Sequence, residues 1–251
     1  MIGKVDFTVS NGIGVVSFYH PSHNSMPGAL LMDLTEAIEG AGRSNEVKVV
    51  VLRSEGERTF CAGASFDELI ELGDFGEAKA FFLGFANVIN AMRTCPKLII
   101  GRIHGRAIGG GVGLAAAADY AIATQYSTIK LSELAIGIGP FVIGPAVERK
   151  MGKSAFSELA INAGEWRTAE WAKSKGLYNE VFETVEQVDA YITHLGERLA
   201  GSSPAAMGAL KKVLWEGTEA WDTLLAKRAE ESGRLVLTRF AKEAIQAFKN
   251  K

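Results

Sequence analysis

Residues 105–124 read GRAIGGGVGLAAAADYAIAT, and the three consecutive glycines Gly109, Gly110 and Gly111, with Gly113 two places on, decide how the chain around them is read. The run KLIIGRI at 97–103 predicts a buried strand that leads directly into the glycines, and GLAAAAD at 113–119 is good helix material. A glycine-rich strand-to-helix turn can cradle phosphates, allow close packing, or present backbone N–H groups. A dinucleotide fingerprint needs GxGxxG, but Leu114 stands where the third glycine belongs. A phosphate loop needs GxxxxGK[ST], and before Gly152, Lys153 and Ser154 the first glycine is replaced by Val147. Close packing and amide presentation remain.

Working outward, VDFTVS and IGVVSFY flank Asn11 and Gly12, a pair that favours positive φ and predicts a hairpin. Leu30, Leu31, Leu34, Ala37, Ile38 and Ala41 recur at helical spacing. VKVVVLRS from Val47 is the pattern of a strand buried on both faces, and a further strand ends near Ala62 and Gly63. Residues 76–94 carry a helical apolar stripe with Pro96 just beyond. YAIAT and STIKLS are short extended pieces, and GIGPFVIGP is a loop. From about Val185 the pattern is purely helical. Strands alternating with helices, then helices alone, predict an α/β core followed by a helical region, with a soft boundary near 185–200.

Composition narrows the function classes. The 251 residues are 47% hydrophobic and 22% charged, with 27 Lys+Arg against 29 Asp+Glu. A net charge of −2 gives no reason to expect nucleic acid or an anionic membrane as partner. The most apolar stretch is broken by Arg102, His104 and Arg106, so a spanning helix is not predicted. The first ten residues lack the apolar segment of a signal peptide, which makes a cytoplasmic protein the expectation. Cys61 and Cys95 have no metal-ligand spacing and are read as buried thiols. The four histidines show no zinc-site spacing, so no metal is indicated.

A second segment, FCAGASFDEL at 60–69, also puts small residues directly after a buried strand and before a helix start. Two such turns can aim backbone amides at one point, which is the construction of an oxyanion hole. Together with IKLSELAIGIGP and INAGEWRTAEWAKSKGLYNEVF, these segments make the chain resemble the crotonase, or enoyl-CoA hydratase/isomerase, superfamily from residue 5 onward. The resemblance implies an α/β fold, a crotonase-like spiral of ββα units with a C-terminal α-helical trimerisation region. It divides the chain into a core at 1–190, holding the coenzyme A site and oxyanion hole, and an oligomerisation region at 191–251.

By the same resemblance, the amides of Ala64 and Gly110 hold the enolate oxygen of an acyl-CoA thioester. Ala62, Gly63 and Ala64 pass beneath the adenine end of coenzyme A, and Phe248 and Lys249 help to cover it. Coenzyme A enters as part of the substrate, and no separate cofactor is required. A homotrimer or a dimer of trimers is expected. Hydratases of the family carry two glutamates; here the second is Glu133, while the first position is Gly113, in the substrate pocket. One carboxylate suffices to move a proton from C2 to C4, so the resemblance favours isomerisation of a 3-enoyl to a 2-enoyl thioester with Glu133 as sole acid/base. Two alternatives stay open: a hydratase working with one glutamate, and a coenzyme A-binding protein with weak or no catalysis. Phe141 and Val142 are candidate pocket residues, equally readable as packing. Asp119 is expected to cap or bridge backbone, and His104 to make a structural hydrogen bond.

Overall fold

The computed structural model describes residues 3–249. Its strands are β1 (Lys4–Ser10), β2 (Ile13–Tyr19), β3 (Ser25–Met26), β4 (Val49–Ser54), β5 (Thr59–Cys61), β6 (Gly63–Ala64), β7 (Leu98–Ile103), β8 (Arg106–Ile108), β9 (Tyr120–Thr124), β10 (Ile129–Lys130) and β11 (Glu180–Phe182). Its helices are α1 (Gly28–Arg43), α2 (Phe66–Glu71), α3 (Phe75–Thr94), α4 (Gly110–Ala117), α5 (Gly144–Ile161), α6 (Ala169–Ser174), α7 (Val185–Ala200), α8 (Pro204–Leu214), α9 (Trp221–Val236) and α10 (Arg239–Lys249).

Asn11 and Gly12 have φ of 52° and 80°, and the antiparallel hairpin β1–β2 closes on the pair Ser10 and Ile13. Two positive φ values match the right-handed twist of the flanking strands. From β2 onward the pairings are parallel, giving a six-stranded sheet in the order β1-β2-β4-β7-β9-β11. The continuous apolar runs in β4 and β7 are explained by burial on both faces. Val50, Leu52 and Ile99 face the main core with Leu34 and Ile38 of α1 and Phe81 of α3, while Val49, Val51 and Ile100 meet Val188 and Ile192 of α7.

Beyond the ends of these strands lie two smaller sheets, β10-β8-β5 and β3-β6. Here one expectation is corrected. The strand at 97–103 does not run directly into the glycines: β7 ends at Ile103, and the chain changes sheet through His104 and Gly105 to form β8, paired with β5 and β10. It is β8 that delivers the chain to Gly109. The three short strands therefore form a platform beyond the large sheet, and the functional turns are built there.

Helices α9 and α10 share the main core, through Trp221, Leu225, Ala229, Val236, Ala241 and Ile245, as does Trp215 just after α8, while Met207 of α8 packs with Val188 and Ile192 of α7. Asp119, between α4 and β9, ties α8 to the sheet. Its Oδ2 accepts from the Ile99 amide at 2.7 Å and from Lys211 Nζ at 2.6 Å, and its Oδ1 accepts from Trp215 Nε1 at 2.7 Å. Lys211 also donates to the Met92 carbonyl at 2.8 Å. Asp119 thus bridges backbone, as its position predicts, and pairs with a buried ammonium in addition.

Candidate active site

Two backbone turns and one acidic side chain meet on the platform. Gly63 adopts φ of 83°, and a Cβ there would lie 2.8 Å from the Ile108 carbonyl oxygen and 3.3 Å from the Gly110 nitrogen. Glycine is what lets the β6 turn approach the start of α4 this closely. Ala64 follows immediately in β6, and Gly110 is the first residue of α4. First-turn N–H groups have no partner inside their own helix and carry the positive end of its dipole, so Gly110 is suited to receive a developing negative charge.

Glu133 follows β10 and begins a single 3₁₀ turn at Leu134–Ile136. Its carbonyl accepts from the amides of Ile136 at 3.2 Å and Ile138 at 3.0 Å, which fixes the backbone from which the side chain projects. The carboxylate lies against the glycine turn: a Cβ on Gly109 would sit 2.9 Å from Glu133 Oε1. Oε2 is sealed from solvent and has no hydrogen-bond partner. Burial pushes the carboxyl up to about 7, with the amides of Glu133 and Ser132 pulling modestly the other way. A carboxyl poised there can give or take a proton near neutral pH.

These groups line one cavity of about 50 Å³. Ala62, Gly63, Ala64, Gly110, Glu133, Phe141 and Val142 all reach it. Among the described residues that line it, Glu133 is the one titratable side chain. Gly113, expected in the substrate pocket, is buried within α4 and is not among the residues that line this cavity. A Cβ there would fall 2.5 Å from Ile143 Cγ2, and Ile143 itself lines the cavity. The space beside Gly113 is thus filled by a branched aliphatic side chain. Phe248 and Lys249 sit one step outside, on α10: Phe248 meets Phe66, a lining residue, edge-on at 6.3 Å between ring centroids, and Lys249 pairs with Asp67 at 2.5 Å.

Sequence reasoning missed Phe82 and Phe85 of α3, Ile143 before α5 and Ser232 of α9, all of which line the cavity. The apolar stripe of α3 was visible, but a stripe alone does not separate lining from packing. Cys61 and Cys95 are free and buried; burial pushes the Cys61 thiol up to about 12, which makes it inert. Among the described residues no group of three or more His, Cys, Asp or Glu is placed to hold a metal ion. No helix among them is long and apolar enough to cross a membrane.

His104 departs from expectation. Neither ring nitrogen has a hydrogen-bond partner, although the residue is buried. Burial, helped by the Arg102 charge, holds its pKa down at about 4. A depressed histidine leaves the unfolded chain binding the extra proton between about pH 6.5 and 4, so His104 subtracts up to roughly 3 kcal/mol of stability as pH falls through that window. Glu133, raised rather than lowered, works in the opposite sense over an overlapping range. The expected result is therefore a difference: His104→Leu loses less stability between pH 7 and pH 4.5 than the parent chain, measured by urea unfolding at both pH values.

Two backbone turns and one buried carboxyl thus share a single cavity beyond the ends of the parallel sheet. Residues 8–251 match the family model described as enoyl-CoA hydratase/isomerase, and the chain belongs to that family, the crotonase superfamily. It is similar to 2,3-dehydroadipyl-CoA hydratase of Escherichia coli, at 29% identity over 92% of this chain and 89% of the relative. It is similar also to the peroxisomal Delta(3,5)-Delta(2,4)-dienoyl-CoA isomerase of Arabidopsis thaliana, at 29% identity over 79% of this chain and 76% of the relative. A crystal structure described as a putative enoyl-CoA hydratase from Mycobacterium avium paratuberculosis superposes with a TM-score of 0.86 at 27% identity, covering 98% of this chain and 96% of that one.

Proposed function

We propose that this protein isomerises 3-enoyl thioesters of coenzyme A to 2-enoyl thioesters, with Glu133 as the sole acid/base. The observation that carries this reading is that Glu133 is the one titratable side chain lining the cavity among the described residues. The thioester carbonyl oxygen accepts from the Ala64 and Gly110 amides. The Glu133 carboxylate takes a proton from C2, and the electron pair of that C–H bond forms a C1–C2 double bond and drives charge onto the thioester oxygen to give a dienolate. As the carbonyl re-forms, the C2–C3 double bond is made and C4 takes the proton back from Glu133. Atoms balance without a second carboxylate or an added water. Each oxyanion donor typically contributes ~2.7–4 kcal/mol to such a transition state. Ala62, Gly63 and Ala64 offer main chain to coenzyme A, with Phe248 and Lys249 at its margin.

Residues 1–190 would then supply the oxyanion hole and Glu133, while 191–251 would add Ser232, Phe248 and Lys249 to the margin of the site and carry the contacts between subunits. Exposed Leu210, Val213 and Leu214 on one face of α8 support an assembly, proposed as a trimer or a dimer of trimers.

Because only the carboxylate form can remove the C2 proton, kcat/KM is expected to rise about tenfold per pH unit below the Glu133 pKa and to level off above it. The break should fall near 7. A profile flat from pH 5 to 9 would count against Glu133 as base.

A second reading, hydration of a 2-enoyl thioester, is favoured by relatives whose names are hydratases. Paired assays separate the two. Offered 3-enoyl and 2-enoyl thioesters in turn, the protein should convert the first and add no water to the second. Inactivity toward both, with coenzyme A binding retained, would leave a binding protein.

A further inference from the structure

Resting on the acyl-thioester reading, we propose that Phe141 sets the length of acyl chain the site accepts, by standing as a partition between the catalytic cavity and a second apolar groove. Gly139, Pro140 and Phe141 line both spaces. On the far side the groove has a volume of about 330 Å³ and is walled by Leu134, Phe156, Ala160 and Ile161, with Glu148 and Arg228 also contributing to its lining. The two spaces are therefore neighbours separated by one loop and one aromatic ring.

The ring is held in place by its own backbone. A Cβ on Gly139 would lie 2.3 Å from Phe141 Cζ, so the ring is folded back over a residue that has no side chain to displace it. The Phe141 amide donates to the Gly139 carbonyl at 2.7 Å, and the Gly144 amide donates to the Pro140 carbonyl at 2.8 Å. A three-residue turn thus leads into the start of α5, and Pro140 fixes its own φ. The turn fixes the point and direction at which the Phe141 side chain leaves the main chain, and the ring packs over Gly139. An acyl tail entering past Glu133 meets Phe141 while the groove behind it stays out of reach. The substrate class this geometry admits is a short-chain thioester.

The test uses saturated straight-chain acyl-CoAs from butyryl to dodecanoyl, whose binding to the full-length protein, to Phe141→Ala and to Phe141→Leu is measured by calorimetry. Saturated chains report the pocket without turnover. For the parent protein, affinity is expected to fall by about tenfold or more between butyryl and decanoyl, in line with the ~10-fold effect one methylene can have in a closed pocket. In Phe141→Ala the decline should disappear, the ratio of butyryl to decanoyl affinity falling to about one or below, and Phe141→Leu should lie between. Parent affinity that climbs steadily through decanoyl, or a Phe141→Ala profile that superposes on the parent's, overturns the partition. Should Phe141→Ala not fold, Phe141→Leu carries the same comparison. Isomerisation of 3-enoyl thioesters is assayed on the same samples. A shifted length profile without any turnover supports the partition and sinks the reaction proposed above.

Discussion

Replacing Glu133 with glutamine is expected to lower kcat by ~10⁴-fold, the upper end of what general acid/base catalysis contributes. The same group both removes the C2 proton and returns one at C4, so the barriers on both sides of the dienolate rise together. KM should change little, since glutamine has the shape of glutamate and the amides of Ala64 and Gly110 are untouched. Stability should move in the other direction. At pH above about 7 the parent chain holds a carboxylate whose Oε2 is sealed and unpartnered, and burial disfavours that form. A folded pKa raised from 4.5 to about 7 means that the stabilising contribution is present below 4.5 and lost as pH rises through 7. The glutamine variant should therefore be more stable than the parent at pH 8 while nearly inactive, as expected where a site retains an unfavourable group for its chemistry. Stopped assays and urea unfolding at pH 8 read both effects on the same sample.

Asp119→Ala is expected to have the largest effect on stability, a loss of ~3–5 kcal/mol. The Lys211 and Asp119 side chains are 3% and 4% exposed, and burial already lowers the pKa of the Lys211 ammonium. Without Asp119 that ammonium keeps the Met92 carbonyl and the face of Trp215 but has no counter-charge, while Trp215 Nε1 and the Ile99 amide lose their acceptor. Unpaired buried donors each carry their own desolvation penalty. Against a typical stability of ~5–15 kcal/mol, such a loss removes from about a fifth to all of the total. The companion variant, Asp119→Leu with Lys211→Met, removes both charges at once and should recover much of it, because a buried ion pair can often be replaced by apolar packing at little cost. Asp119 does not line the cavity, so folded Asp119→Ala at low temperature should keep a near-parental kcat.

What could be read from sequence follows physical rules. The apolar runs of β4 and β7, the Asn11 and Gly12 turn and the helical stripe at 76–94 express themselves locally, so strands, hairpin and helix were legible. So was the site's outline, because closely approaching backbone needs small residues at Gly63 and Gly109, and those leave a visible mark. The change of sheet at His104 and Gly105 was not legible: β8 and β10 have three and two residues, too few to show a period. Nor was the filling of the space beside Gly113 by Ile143, which lies thirty positions on along the chain. The pairing of Asp119 with Lys211 spans 92 positions and joins a strand region to a helix, which no local pattern announces. Ser232 and Phe82 belong to helical stripes whose lining members look like their packing members.

The most direct measurement of the central claim is the product formed from a 3-enoyl-CoA carrying deuterium at C2, read by NMR and mass spectrometry. Proton transfer by one buried glutamate predicts the 2-enoyl thioester as product, with part of the C2 deuterium delivered to C4 and no mass added. A 3-hydroxyacyl thioester as the main product, heavier by one water, would contradict the single-carboxylate account.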